Sequence, residues 1–226
     1  KGHLEISGAG TLNVTGNYNH AIATKEYLQV KKTVTAINIK KAANDAIHVG
    51  QFFQMHGGTL NIDANTVGDG VQVEYKTDDN GVIIPLTEDE ENTGSVIIKG
   101  GTFAITMAGN EDTKAIKADG DITISGGTFV INANSNGSRG IQTDGDLTIS
   151  EDDNTTNITI AANGGLCTQA EDAEDPHRCM GMKIGGDLTV KGGTITVTNN
   201  GTKARGIKVD GTYTKTGGTV VASIKN

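Results

Sequence analysis

Hydrophobic and polar positions alternate along this chain in runs of roughly four to six residues, rich in Thr, Ile and Val and bounded by Gly, Asn or Asp. Period-two alternation between turn residues predicts β-strands. No segment carries a capped apolar stripe at helical spacing, so helix is expected to be nearly absent. The alternation also recurs. Seven segments place a small residue before an aliphatic one: Ala21-Ile22, Ala46-Ile47, Gly70-Val71, Ala115-Ile116, Gly140-Ile141, Gly181-Met182 and Gly206-Ile207. Their second residues follow one another at steps of 25, 24, 45, 25, 41 and 25 residues. One period of about 25 governs the chain, and each long step contains an insertion.

Two further elements complete the repeat. One reads Asp121-Ile122-Thr123-Ile124, Asp146-Leu147-Thr148-Ile149 and Asp187-Leu188-Thr189-Val190. The other opens on paired glycines, as in Gly57-Gly58-Thr59-Leu60, Gly126-Gly127-Thr128-Phe129 and Gly192-Gly193-Thr194-Ile195. Three short strands per repeat with no helix between them predict a single-stranded, right-handed parallel β-helix of about eight coils, one domain spanning 1–226. A sandwich or propeller is the competing all-β arrangement, but a propeller blade needs about 40 to 50 residues. The seven aliphatic markers are expected in one inward column. Insertions at 76–94 and 163–179 are both acidic and read first as solvated loops, although long loops on a rigid solenoid often edge a binding face.

Composition narrows the function classes. Aromatic residues are 4% of the 226, Trp is absent, and 32 Gly stand against 2 Pro. No apolar run approaches the roughly 18 residues of a membrane-spanning helix. A net charge of −8 argues against a generic nucleic-acid binder. The chain opens directly in patterned sequence at Lys1, which reads as a processed or trimmed exported protein, expected to be extracellular or at the cell surface. Cys167 and Cys179 suit a disulfide in such a compartment, preferred over two thiols; with only His177 nearby, a zinc site there is discounted.

In a solenoid, equivalent positions form columns. Two positions before the marker the column reads His20, Asp45, Asp69, Lys114, Arg139, Met180, Arg205; one position after it, Ala23, His48, Gln72, Lys117, Gln142, Lys183, Lys208. Both are expected at the surface. They would form a basic strip of Lys114, Lys117, Arg139, Lys183, Arg205 and Lys208 able to bind an acidic polysaccharide along the axis, and stacked like charges need solvent or a counter-ion. Fanning into water is the plainer reading of the same residues. Asn44, Asp45 and Asp69, with Glu74 as a further candidate, form an oxygen-rich patch suited to calcium. The columns Asp119, Asp144, Asp210 and Asp121, Asp146, Asp187 read as turn chemistry. No recognised zinc-protease, phosphate-loop or serine-hydrolase motif is present.

Asn44-Asp45-Ala46-Ile47-His48, the repeated Gly-Asp-Leu-Thr-Ile and Gly-Gly-Thr-Phe elements, and Arg139-Gly140-Ile141-Gln142-Thr143-Asp144-Gly145-Asp146 resemble a bacterial family of cell-surface carbohydrate-binding β-helices. The resemblance implies calcium binding and association with polygalacturonate and cellulose. It covers nearly the whole chain outside the two insertions. The same family looks like a relative of calcium-dependent pectate lyases, which implies a second reading: carboxylates hold calcium and a lysine, here Lys117, removes a proton beside a uronate carboxylate. His48 stands where that pattern would place another acid. The expected function is therefore non-catalytic binding of acidic polysaccharide by a monomer, with the lyase, or a purely structural surface or adhesion solenoid, as alternatives.

Overall fold

The computed structural model describes residues 2–167 and 177–225. Among these residues the chain winds through three parallel sheets of eight strands each, with no helix. Sheet I carries the marker strands, from Ile22–Thr24 and Ile47–Val49 through Lys114–Ala118 and Arg139–Thr143 to Arg205–Val209 and Ile224–Lys225. Sheet II begins at Leu4–Ile6 and sheet III at Thr11–Gly16, and each turn of the chain adds one strand to every sheet. This is the parallel β-helix that the 25-residue period predicts.

Register follows the repeat. Ile22, Ile47, Val71, Ile116, Ile141, Met182 and Ile207 stack in one column and all are buried, the expected inward set. Sheet II contributes Leu28, Phe53, Val96, Ile122, Leu147 and Leu188, and sheet III contributes Ile37, Leu60, Phe103, Phe129, Ile158 and Ile195, to the same core. Phe103 and Phe129 stack with ring centres 4.6 Å apart and planes 7° from parallel, as in-register neighbours must. Aliphatic residues dominate this core because a narrow triangular interior has room for stacked branched side chains and few large rings.

The second glycine of each pair at the sheet II to sheet III corner has positive φ: Gly58, Gly101, Gly127, Gly193 and Gly218. A Cβ on Gly58 would also lie 2.4 Å from the Val34 carbonyl oxygen of the preceding coil. The corner thus demands a left-handed backbone and a close approach together, and only glycine meets both. On the outside, asparagines stack into amide ladders: Asn61 donates to Asn38 at 2.7 Å and Asn38 to Asn13 at 2.8 Å.

The 76–94 insertion follows the marker strand Val71–Val73, as the pattern indicates. It is more than a solvated loop. Asn92 is buried; its amide donates to the carbonyls of Lys76 and Ile84 at 2.9 and 2.6 Å, and its Oδ1 accepts the Lys76 N–H at 2.6 Å. Asp89 accepts from Gln51 and Lys76, and Lys76 also pairs with Glu26, so the loop folds back across two preceding coils. Asp78, Asp79, Glu88, Glu90 and Glu91 remain exposed. Of the second insertion, Glu171, Asp172, Glu174 and Asp175 lie outside the described residues.

The expected Cys167–Cys179 disulfide is not formed: both side chains are thiols. Leu166 and Arg178 form an antiparallel bridge flanked by Cys167 N–H to His177 O and Cys179 N–H to Gly165 O hydrogen bonds. Cys167 thus faces His177, and Cys179 lies diagonal to it. Diagonal neighbours stand about 7–8 Å apart, beyond the about 4.4–6.8 Å of bridged Cα atoms. Instead the Cys179 thiol is buried against the Ala133 carbonyl at 3.3 Å, and the Cys167 thiol donates to Glu111 at 3.1 Å.

Candidate functional site

Sheet I presents its outer face one residue after each marker, where strand alternation turns side chains away from the core. Ala23, His48, Gln72, Lys117, Gln142, Lys183 and Lys208 lie in register there, continued by Lys225. The column anticipated from sequence is therefore a real ladder, although Gln142 within it is buried. Its neighbour is different. Positions two before the marker are also in register, with Lys114, Arg139, Met180 and Arg205 side by side. Asp45, Asp69, Arg139 and Met180 of that column are buried, correcting the expectation of a surface column. Two steps along a strand return to the inward side, so these residues sit at the corner of the core rather than on its face.

Arg139 shows the effect most clearly. Expected at a solvent-facing turn, it is 3% exposed and bonds Asp112 through Nη1 at 2.6 Å. Lys114 Nζ reaches the other Asp112 oxygen at 3.2 Å, and His177 Nδ1 stands 3.3 Å from Oδ1. Farther along the ladder, Lys117 pairs with Asp119 at 3.3 Å and Lys208 with Asp210 at 3.1 Å. Two of the aspartates read as turn residues are thus counter-ions to the lysine two positions earlier on the same strand face. Among the described residues no carboxylate lies within ion-pair distance of Lys183 or Arg205. The basic strip is in large part a row of Lys–Asp pairs with a cationic end.

The lysine proposed as a lyase base is held protonated. Burial works to lower the Lys117 pKa, but Asp119, Asp69 and Glu74 together raise it above the ordinary lysine value. A base must be unprotonated at the working pH, so this environment opposes proton abstraction.

Asp45 and Asp69 each commit one carboxylate oxygen to the backbone of the next coil. Asp45 Oδ1 accepts the Asp69 N–H at 2.8 Å, and Asp69 Oδ1 accepts the Lys114 N–H at 2.7 Å. The turn aspartates do the same work: Asp121 accepts the Asp146 N–H at 2.8 Å, Asp146 that of Asp187 at 2.7 Å, and Asp187 that of Thr212 at 2.7 Å. Each ties one coil to the next. Burial drives the Asp69 carboxyl up to about 6 against the pull of Lys114. Asn44 donates its amide to Asn19 at 3.1 Å, and the Gln72 amide is bonded to Glu74. Calcium takes six to eight oxygens, and with these bonds made Asn44, Asp45, Asp69 and Glu74 offer fewer open side-chain oxygens than that.

What does converge on Asp45 is imidazole. His20 Nδ1 and His48 Nδ1 each stand 3.1 Å from Asp45 Oδ2, with the two rings stacked 4.3 Å apart. Burial and the neighbouring His48 lower the His20 pKa, whereas the hydrogen bond that His48 donates to Asp45 raises that of His48. Burial tends to raise the Asp45 pKa, but the His48 bond and the Asp69 N–H bring it below the usual carboxylate value. Sequence reasoning passed over His20 as a partner because it looked for oxygen; its place one coil before Asp45 in the same column was the available signal.

Two clefts flank the 76–94 loop and share Leu86. One, of about 570 Å³, is walled by Glu26, Gln51, Lys76 and Glu88. The other, of about 430 Å³, has Tyr75, Ile97, Asp121 and Thr123 on its walls. Neither was visible from sequence, since both depend on how the loop folds back.

A ladder of hydrogen-bonding side chains thus runs along one outer face of the β-solenoid. Residues 1–225 match the model of a family described as "Carbohydrate-binding domain-containing protein", and the chain belongs to that family. No curated protein and no solved structure matches it. Among the described residues, no helix is long and apolar enough to cross a membrane.

Proposed function

We propose that the outer face of sheet I binds a linear, uronate-containing polysaccharide along the solenoid axis without cutting it. The observation that carries this reading is the in-register ladder Gln72, Lys117, Lys183, Lys208, which presents donor groups on successive coils except at the buried Gln142. The family supports a carbohydrate ligand. Sugar hydroxyls both donate and accept, which suits paired Lys117–Asp119 and Lys208–Asp210; Lys183 and Arg205 offer positive charge to carboxylates. The protonated state of Lys117 favours binding over lyase chemistry. Export to the cell exterior accompanies this reading, because polymers of this kind are met there.

Retention on immobilised polygalacturonate and on a neutral polysaccharide, each with calcium and with chelator, tests it. Retention should favour the acidic polymer, release no unsaturated uronide absorbance, and be equal with calcium or chelator. Binding should weaken with salt, as the screening length contracts from about 10 Å at 0.1 M to about 3 Å at 1 M. The double variant Lys183→Ala/Arg205→Ala should weaken retention severalfold while leaving the circular dichroism spectrum unchanged. Undiminished retention would remove the ladder as the site, new absorbance would establish the lyase, and no retention on either polymer would leave a structural solenoid.

A further inference from the structure

Three ligand atoms meet at the N-terminal end of the ladder. One atom each from His20, Asp45 and His48 lies within 4.8 Å of the others. Both Nδ1 atoms are 3.1 Å from the same Asp45 oxygen. In a tetrahedral shell with bonds of about 2.0–2.1 Å to nitrogen and oxygen, neighbouring donors stand roughly 3.3 Å apart. The two nitrogen–oxygen separations approach that edge, and the stacked rings would have to splay for both nitrogens to face one ion. The fold produces these separations: His20 and Asp45 occupy one column on successive coils, and His48 follows Asp45 by three residues, so the two rings stack beside a shared carboxylate.

A second observation concerns bonding at His20. Its Nδ1 is buried and, despite its distance from Asp45, makes no hydrogen bond. The approach has the separation of a contact without the angle of an N–H···O bond. A buried ring nitrogen held in a poorly aligned contact is costly, and coordination would remove that cost. Asp45 is meanwhile fixed by the Asp69 N–H on its other oxygen, and Glu74 Oε2 lies 3.7 Å from His48 Nε2, on the far side of that ring. A carboxylate behind a histidine is the usual support that orients an imidazole ligand.

We infer that His20, Asp45 and His48 form a binding site for a borderline divalent cation of the zinc, nickel or copper class, with a fourth position open to water or an added ligand. Two imidazoles and one carboxylate suit such ions, while calcium and magnesium favour oxygen. Partial exposure of both histidines leaves a path for the ion. The site stands independently of polysaccharide binding and is measured without glycan.

The test is titration of untagged, chelator-treated protein with cobalt(II), followed by zinc and then calcium. One equivalent of cobalt should give the visible absorption of a four-coordinate ion; zinc should displace it and calcium should not. Zinc should also raise the melting temperature with the logarithm of its concentration. His20→Gln and His48→Gln should each abolish the cobalt spectrum. Metal-free His20→Gln, altered at a partly exposed position, should keep the parent's circular dichroism, which separates lost binding from lost fold. Absence of saturable binding to the parent would overturn the site, as would an unchanged cobalt spectrum in the His20→Gln/His48→Gln double variant, or displacement of cobalt by equimolar calcium.

Discussion

Asp112 adopts a left-handed backbone, with φ of 58°, and from that position meets Arg139, Lys114 and His177. A non-glycine residue held there costs free energy, offset by pairing the buried Arg139 guanidinium. Truncation leaves that charge unpaired, a loss of about 3–5 kcal/mol for fully buried pairs; Asp112 is partly exposed, so Asp112→Ala should cost about 2–3 kcal/mol. A lower urea midpoint at unchanged slope would register it. Burial acts to raise the Asp112 pKa, but Arg139 and Lys114 hold it below the ordinary 3.8. Its ionised form is therefore favoured by folding. That stabilisation is fully present above pH about 4 and fades as pH falls through the lowered folded-state value, so the variant should lose less stability than the parent on acidification below pH 4.

At the scale of the strand and its corners, repetition explains both what the sequence disclosed and what it hid. The period and the marker column were legible because every coil must bury an aliphatic residue at the same place, and paired glycines recur because the corner needs a left-handed backbone. Gly58→Ala should cost at least about 2 kcal/mol, from a strained φ and a Cβ pressed against Val34 O; thermal unfolding measures it. The polar column two residues before the marker misled, since its charged residues suggest surface while strand alternation returns them to the core edge. Asp45 and Asp69 read as calcium ligands for a related reason. Composition shows an oxygen; only register shows that one oxygen of each carboxylate already accepts the next coil's N–H. The cysteine pair was misjudged because twelve residues of separation say nothing about diagonal placement across a bridge.

Over the whole molecule, each coil touches its neighbours and little else. Leu4 and Leu12 at one end and Val221 at the other are open to solvent, as are Val82, Ile83 and Leu86 on the 76–94 loop. Amide hydrogen exchange should accordingly be fastest in Leu4–Ile6 and Thr219–Val221 and slowest in Arg139–Thr143, whose five residues are all buried. Uniform exchange along the chain would contradict this gradient.

The winding of the chain also sets how hard the molecule is to assemble. Partners on adjacent coils are typically 25 residues apart in sequence, rising to 45 and 41 only where the two insertions intervene. Loop-closure entropy grows with the logarithm of length, so lengthening one turn from 25 to 45 residues adds only about 0.5 kcal/mol to its closure. A growing solenoid therefore meets nearly the same small search at every turn, and a long loop costs it little speed. Such a scaffold is free to acquire loops at its corners while its folding route stays a sequence of similar short steps.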